Sequence, residues 1–88
     1  MIAAPEDLQA YAQDSTVMLA WGAVEQDLQF YRLERSTSVT FNENVVENFL
    51  TINTFTDTDV EWGTEYFYRV SANVGYYTDY SNTVSITL

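Results

Sequence analysis

The sequence predicts an all-β domain, either a sandwich or a small barrel, and three observations carry the prediction. In Glu65-Tyr66-Phe67-Tyr68-Arg69-Val70-Ser71-Ala72, residues Tyr66, Tyr68, Val70 and Ala72 fall on one face and Phe67, Arg69 and Ser71 on the other. That period of two in an aromatic-rich run marks a half-buried strand. The alternation recurs in Val17, Leu19 and Trp21, and again in Val84, Ile86 and Leu88. Finally, seven such short stretches are separated by polar turns, and no helical period persists for two turns, the pattern of a sandwich or barrel.

The elements follow in order. Pro5 closes an extended lead-in, because proline biases the residue before it away from helix. A first strand is expected over Leu8–Ala12, with Leu8, Ala10 and Ala12 sharing a face. Asp14-Ser15 is turn chemistry, short polar side chains that bond local backbone. Thr16–Trp21 is the second strand, and Gly22–Asp27 a loop. Leu28–Arg35 is the third, with Tyr31 and Leu33 inward, and Phe30 and Arg32 outward where Arg32 could pair with an acid. Ser36–Asn44 is a polar loop containing Phe41. Val45–Ile52 mixes two periods, and the β context around it favours a strand with Val46, Leu50 and Ile52 on one face. Thr54–Thr56 is a short strand with Phe55 inward, and Asp57–Thr64 a corner with Gly63 in its turn. The aromatic strand runs to about Asn73, Val74–Tyr80 is a loop, and Asn82–Leu88 is the last strand.

Eighty-eight residues make one domain, 1–88, expected to be excised from a larger multidomain protein. A chain this short buries roughly 60–65% of its unfolded surface, so its stability margin is thin, and without cysteine no disulfide adds to it. Thirteen acids face three bases, Arg32, Arg35 and Arg69, and the net charge of −10 repels phosphate backbones and anionic lipid. Nucleic-acid and membrane-surface roles are therefore disfavoured, and no stretch approaches the ~20 apolar residues of a membrane helix. The start, through Pro5, Glu6 and Asp7, lacks the basic and apolar runs of a signal peptide, so an export signal is expected elsewhere in the parent.

The ordered set of Pro5 with Leu8, then Trp21, then Tyr31-Arg32-Leu33, then Phe55 to Val60, Gly63 to Ala72 and Ser81 to Ile86 covers nearly the whole chain. It resembles a fibronectin type III domain of the kind common in bacterial extracellular proteins. The resemblance implies a seven-stranded immunoglobulin-like Greek-key β-sandwich, three strands packed on four. It implies Trp21 at the core centre with Tyr31, Leu33, Tyr68 and Val70 around it. It places Tyr66 at the corner, its hydroxyl bonded to upstream backbone near Val60 or the residues after it. Trp62 departs from the family, which more often has Pro there, and the Val74–Tyr80 loop lacks the Arg-Gly-Asp triplet of integrin binding.

Catalysis finds few candidates. There is no His, Cys or Lys to activate a serine, and no glycine-rich phosphate loop, since the glycines are Gly22, Gly63 and Gly75. Carboxylate pairs are inevitable among thirteen acids, and a sandwich this small offers no deep cleft to tune one. The chain is read as no enzyme, without cofactor. Asp57, Asp59 and Glu61 alternate as calcium ligands can, but lack the turn glycine and terminal bidentate Glu of the helix-flanked loop; turn acids are the first reading and calcium the second.

Tyr76, Tyr77 and Tyr80 cluster in one loop, which the family topology sets at the pole of Gly22–Asp27, with Trp62 and Phe41 at the opposite pole. Tyrosine offers rigid amphipathic contact area, so these residues and Trp62 are the candidate binding residues. They could instead cover the ends of the core, contact neighbouring domains or proteins, or stack on a sugar ring. The expectation is a monomeric, non-catalytic spacer or interaction module of a secreted or cell-surface protein. Its alternative is a ligand-binding module recognising polysaccharide or a protein through Tyr76–Tyr80.

Overall fold

The computed structural model describes residues 2–88. Seven strands form: β1 (Gln9–Gln13), β2 (Thr16–Ala20), β3 (Phe30–Ser36), β4 (Val46–Leu50), β5 (Thr54–Asp57), β6 (Glu65–Asn73) and β7 (Val84–Thr87). They make a three-stranded sheet, β1-β2-β5, and a four-stranded sheet, β4-β3-β6-β7, all pairs antiparallel. This is the expected three-on-four Greek-key sandwich. Its inner faces meet through Val17, Leu19 and Trp21 from one sheet and Tyr31, Leu33, Tyr68, Val70 and Ala72 from the other, all buried. Trp21 and Tyr31 meet edge to face at 5.3 Å, a favoured aromatic geometry. The Tyr31 hydroxyl accepts from the Val24 amide at 2.8 Å and so ties the β2–β3 loop to the core.

Strand boundaries depart from the sequence reading where side chains replace ladder bonds. Leu8 lies before β1, its N–H and C=O both held at 3.0 Å by the Asn82 side chain. That clamp takes Asn82 out of the last strand, which begins at Val84, and brings β7 beside β1. Ala12 keeps the core-side parity, paired with Val17 as Ala10 is with Leu19, but it is exposed near the end of the edge strand β1. The fourth strand is shorter than Val45–Ile52: Val46 and Leu50 are half-buried, while Ile52 has turned outward in the crossing to β5.

The corner forms as the resemblance implies. Tyr66 is buried, and its hydroxyl accepts from the Glu61 amide at 2.9 Å. Gly63 sits in the turn at φ +81°, a conformation that favours glycine.

Candidate functional site

The loop after β6 is tied down. The Thr78 amide donates to the Ala72 carbonyl at 2.9 Å, and the Thr78 hydroxyl accepts from the Ala72 amide at 3.1 Å. Ser81 repeats the exchange with Val70, donating at 2.8 Å and accepting at 3.0 Å. These bonds lay residues 77–81 along β6 and carry Tyr77 and Tyr80 onto the outer face of the four-stranded sheet.

There the two tyrosines meet charges that strand parity also turns outward. β3 presents Phe30, Arg32 and Glu34, and β6 presents Arg69 and Ser71, with Arg32 opposite Ser71 and Glu34 opposite Arg69. Glu34 accepts from Arg69 Nε at 2.9 Å on one oxygen and from the Tyr80 hydroxyl at 2.8 Å on the other. The same hydroxyl accepts from Arg32 Nη2 at 2.8 Å. The Arg32 guanidinium lies 3.8 Å from the Tyr77 ring centre, and Arg69 lies between the rings of Tyr80, at 3.8 Å, and Phe41, at 4.1 Å. Charge-assisted bonds and ring quadrupoles together hold both cations. Burial, then the hydrogen bond to Glu34, pushes the Tyr80 hydroxyl above its ordinary pKa.

The candidate aromatics are thus divided. Tyr80 is half-buried inside the network, and Tyr77 covers Arg32 while meeting Phe30 edge to face. Tyr76 is 50% exposed at one end of the sandwich, its hydroxyl accepting from the Ile2 amide at 3.3 Å over a cleft of about 330 Å³. Trp62, 69% exposed, stands in the turn before β6, whose Gly63 amide donates to the Leu88 carbonyl at 3.2 Å. The nine residues of β6 separate Trp62 from Tyr76, which therefore stand at opposite ends of that strand. Phe41 lies on the sheet face and not at the Trp62 pole, drawn there by Arg69. The sequence reading turned Arg32 outward to pair with an acid, and it stands 3.4 Å from Glu34; the reading missed that Arg69 joins the same carboxylate, for which shared outward parity was the available signal.

Asp57 is buried and used up. Its carboxylate accepts from Arg35 Nη1 at 3.2 and 2.9 Å, from the Tyr68 hydroxyl at 2.9 Å and from the Asp59 amide at 3.0 Å. Desolvation pulls the Arg35 pKa down, but the bond to Asp57 and its charge outweigh it, and the net direction is upward. Asp59 points to solvent, 93% exposed in its side chain. Asp57, Asp59 and Glu61 therefore do not converge as a ligand set, and among the described residues no group of three acids could hold a metal ion. The reason is that the alternating spacing spans the end of β5 and a bend, so only Asp57 turns inward.

Comparison with known proteins agrees with the fold. No curated protein matches the chain. A solved Fn3-like protein from Clostridium thermocellum is 31% identical, with a TM-score of 0.80 over 96% of this chain and 90% of that one. A β-1,2-glucanase from Parabacteroides distasonis is 26% identical, TM-score 0.74, over 99% of this chain but 13% of the enzyme. Pectate lyase Pel3 from Pectobacterium carotovorum shares the fold at 22% identity, TM-score 0.81, over 96% of this chain and 26% of the lyase. The fibronectin type III domain pattern matches residues 3–87, and the chain belongs to the fibronectin type III family.

Proposed function

We propose that the chain is a non-catalytic spacer and interaction module of a secreted or cell-surface multidomain protein. The observation that carries this is the placing of two of the exposed aromatics, Tyr76 and Trp62. Tyr76 stands beside Ile2 and Trp62 beside Leu88, at opposite ends of a body 39 Å long. A module joined at both ends would have one amphipathic ring at each junction. The side chains of the two polar networks, Arg32, Glu34, Arg35, Asp57, Arg69 and Tyr80, are spent on one another. Fibronectin type III domains occur as modules in multidomain proteins, including enzymes, and the small share that this fold takes of the glucanase and the lyase supports the same use here. No helix among the described residues is long and apolar enough to cross a membrane.

The cleft beside Tyr76 favours one second reading, a small binding site for a neutral glycan. Titration of the labelled domain with calcium and then with soluble neutral polysaccharides, followed by two-dimensional NMR, separates the two. Silence at the Tyr76–Tyr80 and Asp57–Glu61 amides supports the module reading. Saturating shifts at Tyr76–Tyr80 would replace it with the glycan site.

A further inference from the structure

The two sheets are open on one flank. β1 lies beside β7, but β4 and β5 each bond to a single neighbour, so both carry an unpaired row of backbone donors and acceptors. A groove of about 660 Å³ runs from the outer face of the three-stranded sheet, where Tyr11 and Met18 lie, past Phe55 to Phe49, Leu50 and Ile52 at the end of β4, with only threonines and further apolar residues completing it. Phe49 and Ile52 are 57% and 63% exposed. Phe49 continues the apolar surface around the edge to Phe30, 5.7 Å away, and Phe30 meets Tyr77 at 6.1 Å. Contiguous exposed rings of this kind mark contact surfaces more than single ones do.

Charge selects the occupant. Of the thirteen acids, Glu34, Asp57 and Asp59 are in ion pairs, leaving ten without one among the described residues. Of those ten, only Glu47 and Glu65 lie within strands; the rest sit in turns and in the lead-in to β1. The groove itself is uncharged, and Glu47 stands exposed on β4 beside it. All three arginines are held within the domain, so among the described residues no free side-chain cation answers an acidic partner. A second copy would bring another −10. The field of the whole surface steers cationic segments instead.

We propose that this flank receives an extended basic segment of a partner protein, laid along the free edge of β5 with its apolar side chains against Tyr11, Phe49 and Ile52. Backbone pairing supplies the affinity and alternate side chains the fit, while basic residues meet Glu47 and the acidic turns. The inference rests on the reading of the chain as an interaction module but uses its flank, not its ends.

The test is a titration of the ¹⁵N-labelled chain with a capped Lys-Val-Lys-Val-Lys-Val-Lys peptide and with its Glu-for-Lys counterpart. The basic peptide should give saturating shifts at residues 46–57, and the acidic one none. Phe49→Thr and Ile52→Ser, at exposed positions where the fold should survive, should each weaken binding by about tenfold, as for anchors of an interface. Unchanged shifts elsewhere in the variant spectra verify the fold. No saturable shift, equal binding by the variants, or diffuse shifts over the acidic turns that salt abolishes would overturn the proposal. So would a concentration-dependent dimer with shifts at the same flank, since a second copy would then be the occupant. Separate docking at Trp62 and Tyr76 would leave the module reading standing whichever way the flank responds.

Discussion

Arg35 donates to both oxygens of the Asp57 carboxylate from one nitrogen, at 3.2 and 2.9 Å, with both side chains almost out of solvent. The pair joins the inner end of β3 to the end of β5 and so ties one sheet to the other. Tyr68, from β6, one of the two inner strands of the larger sheet, donates to the same carboxylate.

Replacing one partner leaves the other charge buried without an answer. Asp57→Asn keeps the shape and removes the charge, and it should destabilise the domain by about 3 kcal/mol, near the low end for a broken buried pair. The low end is expected because the Asp59 carbonyl still accepts from Arg35 at 2.8 Å and the Asp59 carboxylate stands 3.6 Å away. Urea denaturation of the two proteins measures it, and an unchanged midpoint would show that Asp59 compensates fully.

Tyr66→Phe tests the corner. The ring stays, but the Glu61 amide loses its acceptor, at an expected cost of about 1–3 kcal/mol. The denaturant slope should not change, because the surface buried on folding is nearly the same. An equal midpoint would mean that water replaces the hydroxyl in this part-buried turn.

That bond was legible through the fibronectin type III resemblance, which places a tyrosine at this corner, and the structure makes it locally, over the five residues from Tyr66 back to Glu61. The core was legible from the residues themselves, since period two in β2, β3 and β6 fixes which residues face inward. The outer-face network was not. It needs Tyr80 to reach back 46 residues to Glu34, and Phe41 to hold a φ of +55° over Arg69. Neither follows from local periodicity, because each depends on how a loop folds over a finished sheet. The Asn82 clamp on Leu8, 74 residues away, escaped for the same reason.

Alkaline stability follows from the tyrosines. Burial first, then the charge of Asp57 and the bond to it, raises the Tyr68 pKa far above its ordinary value, and burial and Glu34 raise Tyr80 in the same direction. The folded state therefore holds these protons when the unfolded chain, with tyrosine pKa values of about 10, has begun to release them. Their contribution is fully present below about pH 10 and is lost as pH rises beyond it. Denaturation midpoints measured from neutrality upward should fall steeply in that range, and more gently in Tyr68→Phe, whatever that variant loses at neutral pH. Parallel curves for the two proteins would place the alkaline transition elsewhere.

Salt should stabilise this domain. Ten side-chain carboxylates without an ion partner among the described residues repel one another across a body only 39 × 25 × 18 Å, and screening acts on such exposed charges within a Debye length of about 10 Å at 0.1 M salt. The attractive pairs are shielded from that screening: Arg35 and Asp57 are buried, and Glu34 is nearly so beneath Arg69 and Tyr80. Salt thus weakens the repulsion more than the attraction. The thermal midpoint should rise as sodium chloride is raised from low concentration to a few tenths molar, and it should rise less in a variant with Glu25, Asp27 and Glu61 changed to Gln, Asn and Gln. A midpoint that fell with salt would mean that the outer-face pairs of Arg32 and Arg69 outweigh the self-repulsion of the turns.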